Sequence, residues 1–593
     1  MIDQLRHESK STLNILYPSL FLLIFLGSIF LTSDRFVNHE SAQYYFFVVS
    51  LLIVSFSLAV FSKRLLMPDN SLLLVSLLVI VTGLMLTNWS YTGNLITIFC
   101  IILWAIFCFQ MECITKSRYF LVGIFLMGIV LASFGLMQYA GWLPSNQSRF
   151  AVTGRFDNPA GFAATLVMIL PVGLFLLLSE KKSSNLHWFS AIGLLVLLSA
   201  IILSGSRTGI LAAIASSGLL LIFRSRLFEL FKHHISNWNI YIPVVVFIIL
   251  VGSASALYTL DINSANGRLL IWRVSAHMIA ENPLLGHGSG SFQAEYMKYQ
   301  ANYFTHHPDS NFGQLADNVK HPLNEYVLIL VEYGTVGLMM LFLFIYSLFK
   351  EVSNINSDQS LLCLSGLAGL LIFSFFSYPL QYVSVWILGI FYFSIGLGTR
   401  WVSLQRGMRV ILSRIGVVVV ILICLYITID KIKTNIKWNN VAQNALGEDT
   451  IQMLPKYEKL YPKLKNNPFF LYNYGAELSV AGKYDKSIEI LRECQLQFND
   501  YDLQLLLAKN YEAKGNLKKA TAIYKRASNM IPVRFWPLYK LVKIYRERCE
   551  INKAIHLAKR ILKKRVKIPS SIISSVKYQM RKFLDDENVN NCR

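Results

Sequence analysis

Four arginines, one histidine and one glutamate have the residue types and settings that could do chemistry. Arg207 stands in Ser204-Gly205-Ser206-Arg207-Thr208-Gly209, a short turn between two apolar runs. A cation that persists beside hydrocarbon is costly, so it either binds an anion or snorkels to the interface. Arg268 and Arg273 lie in Asn266-Gly267-Arg268-Leu269-Leu270-Ile271-Trp272-Arg273. Five positions apart on a helix they point in different directions, so one can clamp an anion while the other is structural. His321 opens His321-Pro322-Leu323-Asn324-Glu325-Tyr326, immediately before another apolar run. An imidazole there can accept a proton near neutral pH, and Glu325 is the second candidate for that role. Arg155 and Asn158 occur together in Gly154-Arg155-Phe156-Asp157-Asn158-Pro159.

Other readings of the same region carry less. Gly286, Gly288 and Gly290 invite comparison with a dinucleotide-binding loop, but no strand precedes them, so a tight turn is expected. His287, His306 and His307 share the segment with His321. No carboxylate spacing completes a metal site, and neither a metal nor a cofactor is expected. The eight cysteines follow no redox or metal spacing.

The elements that must position these residues are set by composition. With 593 residues, 54% hydrophobic and 15% charged, the chain has too little polar surface to cover a soluble core. Apolar runs near 12–32, 42–61, 71–87, 94–111, 119–140, 160–179, 189–203, 209–223, 239–258, 323–349, 360–378, 383–398 and 411–429 predict about thirteen transmembrane helices. The run 13–31 lacks a small-residue cleavage site and reads as a first span. Basic residues cluster in alternate connections, among them Lys63 and Arg64, Lys181 and Lys182, and Arg400 and Arg406. The positive-inside rule makes those connections cytoplasmic, and 141–159, 204–209 and 259–322 periplasmic. The net charge of +22 comes with no recognition motif, and no nucleic acid is expected.

Two domains follow: a polytopic membrane domain over 1–430, which includes the periplasmic loop 259–322, and a soluble tail over 431–593. The tail repeats at about 34 residues, with Tyr511 recurring as Tyr545 and Ala520 as Ala554, and with Gly482 and Gly515 at turns. This resembles tetratricopeptide helix pairs. Both a stabilising spacer and a groove for a protein partner fit such a segment.

In 154–161, the 204–209 turn, 268–272, 283–292, and Asn324 followed by Gly334 and Gly337, the chain resembles the O-antigen ligase family, which includes O-antigen polymerases and protein O-oligosaccharyltransferases. One position departs from the pattern: many members carry histidine directly before the asparagine, where this chain has Leu323, with His321 two residues earlier. The resemblance implies an all-α membrane glycosyltransferase of the bacterial inner membrane. It implies transfer of a glycan from undecaprenyl diphosphate to a hydroxyl, foremost on lipid A-core, without metal or nucleotide sugar. Within that frame Arg207 and Arg268, with Arg155 and Arg273, would hold the diphosphate. His321 or Glu325 would be the base, and Asn324 and Asn158 would support the site. A protein or a growing glycan as acceptor stays open, and a glycan-lipid or anion transporter is the rival from another class.

Overall fold

The computed structural model describes residues 2–38, 41–62, 64–68, 94–110, 118–224, 252, 262–354, 358–397, 399–403, 408–446 and 450–585. Its helices run in chain order as α1 (Ile2–Phe30), α2 (Ser41–Phe61), α3 (Asn94–Gln110), α4 (Arg118–Tyr139), α5 (Pro159–Ser179), α6 (Asn185–Leu203) and α7 (Arg207–Arg224). Then come α8 (Ile262–Glu281), α9 (Ser291–His306), α10 (Glu325–Asn354), α11 (Asp358–Phe376), α12 (Val383–Gly396) and α13 (Met408–Leu446). The tail adds α14 (Thr450–Leu464), α15 (Pro468–Val480), α16 (Tyr484–Gln495), α17 (Tyr501–Ala513), α18 (Leu517–Met530), α19 (Trp536–Glu547), α20 (Ile551–Lys563) and α21 (Ser571–Asp585). Eight helices are long and apolar enough to cross a bilayer, and three shorter apolar helices accompany them among the described residues. The chain is a polytopic helical membrane protein. The spans expected near 71–87 and 239–258 lie outside the described residues, Gly252 apart.

One short ribbon interrupts the helical pattern: β1 (Arg64–Pro68) pairs antiparallel with β2 (Thr399–Ser403), Arg64 opposite Ser403 and Pro68 opposite Thr399.

The chain forms two compact units. The first comprises 1–257, 323–326 and 336–436, and the second 258–322, 327–335 and 437–593. The segment 258–322 therefore belongs with the tail, and it holds two helices, α8 and α9, where the sequence indicates an extracytoplasmic loop with an amphipathic stretch. The helix α13 spans 39 residues, about 58 Å at 1.5 Å per residue, well beyond ~30 Å of hydrocarbon. It passes through Lys431, Lys433 and Lys437 without a break because no Gly or Pro stands between Val417 and Leu446 to end it.

The first unit is built around α5, which is buried along nearly all its length and packs against α4, α6, α7, α11 and α12. Without a hydrophobic drive between helices in lipid, close approach and interhelical hydrogen bonds hold such a bundle. Gly209 of α7 meets Ala163 of α5, where an added Cβ would come within 2.8 Å of the alanine methyl. Thr165 and Ser384 share a hydroxyl hydrogen bond of 2.8 Å, and Tyr392 donates to the Met168 carbonyl at 2.5 Å.

In the second unit the tail folds as helix hairpins α15/α16, α17/α18 and α19/α20. Each first helix ends in the same Schellman cap. Lys483, Asn516 and Glu550 donate backbone N–H groups to Leu478, Tyr511 and Tyr545, five residues back in each case. The left-handed residue of that cap is Gly482 (φ 74°) and Gly515 (φ 72°) in the first two hairpins, but Cys549 (φ 56°) in the third. A residue with a Cβ is strained in that region, and glycine is not. Because Cys549 is exposed and forms no disulfide, Cys549→Gly should stabilise the third hairpin by about 1 kcal/mol. Amide hydrogen exchange in α19 and α20 should slow about five-fold, and unchanged or faster exchange would show that the cap is relaxed with cysteine.

Candidate active site

In the first unit the residues of interest gather where α5 and α7 begin. Gln138 (5% exposed), near the end of α4, organises the connection that follows. Its carbonyl oxygen accepts from Thr153 N at 3.1 Å and Gly154 N at 2.8 Å, and its amide donates to Pro144 O and Gly154 O. Gly154 is left-handed (φ 60°), and a Cβ there would run into Phe162. This clamp presents Arg155, whose guanidinium lies 4.7 Å over the Phe134 ring and whose Nε is buried without a hydrogen bond among the described residues.

Asn158 caps α5 by accepting from Ala160 N at 2.7 Å. Its amide donates to the Tyr378 hydroxyl, while Tyr382 donates to Asp157 at 2.8 Å. Two carboxylate and amide side chains from 154–161 are thus tied to two tyrosines more than 200 residues away. The same stretch receives Glu325: its carboxylate (2% exposed) accepts from Leu380 N at 3.1 Å. Asn324 caps α10 through Tyr326 N at 2.9 Å. Leu323, one residue earlier, sits at φ 55°, a costly conformation for a leucine.

Arg207 is the first residue of α7. The turn before it is fully bonded: Ser204 accepts from Ser206 N at 3.2 Å, Ser206 accepts from Gly209 N at 3.2 Å, and Gly205 takes φ 70°. A cation at a helix N-terminus meets the positive end of the helix dipole, the arrangement that an anion relieves.

In the second unit, Arg268 and Arg273 both lie on α8, and they do face differently: Arg268 is partly buried, whereas Arg273 is exposed with its guanidinium 5.7 Å from the Phe312 ring. Trp272, one turn after Arg268, donates its indole N–H to Pro322 O at 3.0 Å. That bond puts the Arg268 face of α8 against the segment 321–322. His321 keeps some surface accessibility. Burial, ahead of the charge on Lys320, lowers its pKa to about 4, where the sequence alone suggests the ordinary value near 6.5. The imidazole is therefore neutral throughout the physiological range.

The segment leading to His321 is held by the tail. Asn318 accepts from Tyr501 N at 3.1 Å, and Lys320 lies 5.5 Å over Phe469. On α9 the fully buried Gln300 donates to Met530 O at 2.6 Å and Asp317 O at 3.2 Å.

Glu332 is the residue that sequence reasoning missed. It is 1% exposed and accepts from Gly290 N at 3.0 Å and Phe292 N at 3.4 Å, so a buried carboxylate caps the start of α9. Two residues later α10 is broken at Gly334 (φ 65°, ψ −163°). The backbone groups around the break are taken up by the chain that runs from α8 to α9: His287 N bonds Val331 O at 2.9 Å, Gly288 N bonds Glu332 O at 2.9 Å, and Thr335 N bonds Pro283 O at 2.8 Å. The only sequence signal was the glycine pattern itself, Gly286, Gly288 and Gly290 against Gly334.

A sequence profile of the family described as O-Antigen ligase matches residues 192–342. A protein of Rickettsia felis named as a polysaccharide ligase is 27% identical over 132 residues, 22% of this chain and 31% of its own length. A relative from Rickettsia bellii with the same name is 30% identical over 96 residues, 16% of this chain and 22% of its own. The chain thus spans less than a third of the length of the relatives it matches. The profile match contains Arg207, Arg268, Arg273, His321, Asn324, Glu325, Glu332 and Gly334, while Arg155 and Asn158 precede it.

A Cβ on Gly334 would sit 2.2 Å from the Leu284 carbonyl oxygen, at a φ that side chains rarely adopt. Gly334→Ala should therefore destabilise this region by about 3 kcal/mol or more, read as loss of protease-resistant protein in membranes. Glu332→Ala, which strands the buried Phe292 N–H and the part-buried Gly290 N–H, should cost about 1–3 kcal/mol. Wild-type resistance in both variants would contradict the assignment of the break as a built feature.

Proposed function

We propose that this protein transfers a glycan from undecaprenyl diphosphate to an acceptor hydroxyl at the outer face of the bacterial inner membrane, with lipid A-core as the acceptor. The observation that carries the reading is that one matched stretch, 192–342, holds Arg207, Arg268 and His321, whose imidazole has a pKa lowered to about 4. Those are the residue types that displacement of a diphosphate from an anomeric carbon requires.

In this reading the acceptor oxygen attacks the anomeric carbon while the bond to the diphosphate oxygen breaks. Negative charge grows on the leaving group, and cations already in place stabilise it without reorganisation. Arg207 and Arg268 supply those cations through planar, two-pronged hydrogen bonding, and Arg155 and Arg273 are the auxiliary ones. The proton of the acceptor hydroxyl passes to His321, with Glu325 as the alternative acceptor. An in-line displacement inverts the anomeric centre. Asn158 and Asn324 act as caps that fix the starts of the two helices beside these groups.

Arg207→Ala and Arg268→Ala should each abolish transfer while the protein still inserts and accumulates. Lysine should restore only part of the activity, because its point charge lacks the fork. Surface polysaccharide attached normally to lipid A-core in cells carrying either alanine variant would remove that arginine from the mechanism.

The pH dependence tests the base. A folded-state pKa lowered to about 4 keeps His321 unprotonated above that value, so kcat/KM, which reports the free enzyme, should be level from neutral pH down to about 5 and fall only toward 4. Bound diphosphate would favour the imidazolium and move the kcat profile upward. His321→Ala should lower turnover by about 10²- to 10⁴-fold with little change in donor binding. An inflection of kcat/KM near 6.5 would contradict the lowered pKa, and an unchanged rate in the variant would transfer the role to Glu325, to be tested as Glu325→Gln.

A further inference from the structure

We propose that the pocket formed by α18, α19 and α20 binds a phosphorylated saccharide. The cavity measures about 480 Å³, within the roughly 300–1,000 Å³ typical of small-ligand sites and too confined for a long peptide. Its floor is apolar, with Leu538 and Leu541 buried. Its rim carries Lys525, Lys553 and Arg560, all exposed.

Charge around the pocket is one-sided. Between residues 514 and 582 the chain has twenty lysines and arginines, and its only acidic residues are Glu547 and Glu550. Glu550 pairs with Lys553 at 2.6 Å and Arg548 at 3.0 Å. Neither Lys525 nor Arg560 forms a salt bridge among the described residues, and Glu550 reaches Lys525 only through its longer-range charge. Lys525 and Lys553 lie 5.9 and 5.8 Å from the Tyr545 ring, which holds their ammonium groups at the mouth. Arg560 offers the planar fork that matches phosphate oxygens.

The polar groups narrow the ligand further. Ser528 and Asn552 line the same cavity, and hydroxyl and amide side chains are suited to hydrogen-bond sugar hydroxyls. A small apolar floor accommodates the C–H face of a pyranose but not an acyl chain. Cations, amide, hydroxyl and a short apolar floor together describe an anionic sugar better than a lipid tail, a bare anion or an acidic helix. This site is separate from the residues assigned to donor chemistry, and the inference stands whether or not that assignment holds.

The test uses the full chain in detergent, titrated with glucose 6-phosphate, glucose and inorganic phosphate by ligand-observed saturation-transfer NMR. Glucose 6-phosphate should bind saturably, about ten-fold or more tighter than either glucose or phosphate alone. Arg560→Ala and Lys525→Ala should each weaken it about ten-fold with the helical circular dichroism unchanged, and Arg560→Lys should weaken it less. If an alanine variant fails to fold, Lys525→Gln and Arg560→Lys provide the same comparison. Inorganic phosphate binding as tightly as the sugar phosphate would reduce the pocket to a plain anion patch. Displacement by a glutamate-rich peptide at lower concentration would make it a peptide site. Either result, or wild-type binding in the substituted proteins, overturns the proposal.

Discussion

Every backbone N–H and C=O freed by a break in a helix and buried must find a partner inside the protein, because an unpaired one costs as much as a lost hydrogen bond. The break in α10 at Gly334 meets that demand with the chain between α8 and α9, whose residues 283–288 supply the missing donors and acceptor. Two glycines make the approach feasible, since a Cβ on Gly286 or Gly334 would fall within 2.4 Å of opposing backbone. The Glu332 carboxylate then caps α9 from the same strip of chain. The end of α8 and the start of α9 both follow from this one local arrangement.

The tail contributes to the same end. Its inter-hairpin turns and α18 hold α9 and the residues just before His321, through the Gln300 amide, Asn318 and the Lys320 contact with Phe469. A segment of helix hairpins used this way is a scaffold for the chain that leads to His321. In the first unit the comparable work is done by Gln138 and by the pairs Asn158 with Tyr378 and Asp157 with Tyr382. Those side chains are locked by partners of their own, which is what a site that must hold charged groups in register requires.

Much of this was legible in the residues. Apolar run length located the spans, and the 34-residue spacing located the hairpins through Gly482 and Gly515. Cys549 was not recognised as their third counterpart because its type hides a left-handed backbone. The segment 259–322 read as a loop with an amphipathic stretch, since α8 packs within that segment, on α9 and residues 311–314, and the partner of α9, α18, lies in the distant tail. Glu332 and Gln138 were invisible for a related reason: inside apolar runs they look like isolated polar residues, and only the fold reveals the N–H groups they accept from. The sequence shows that His321 is an imidazole, but its low proton affinity depends on desolvation and on Lys320, which composition does not report.

The central proposal is that this chain breaks the bond between the glycan's anomeric carbon and the lipid-linked diphosphate. The most direct measurement reconstitutes the purified protein into liposomes with undecaprenyl-diphosphate-linked glycan and a hydroxyl-bearing acceptor, and follows both products. The account predicts free undecaprenyl diphosphate appearing in step with glycosylated acceptor. Donor that stays chemically intact, or that only changes leaflet, would contradict it and make the protein a carrier.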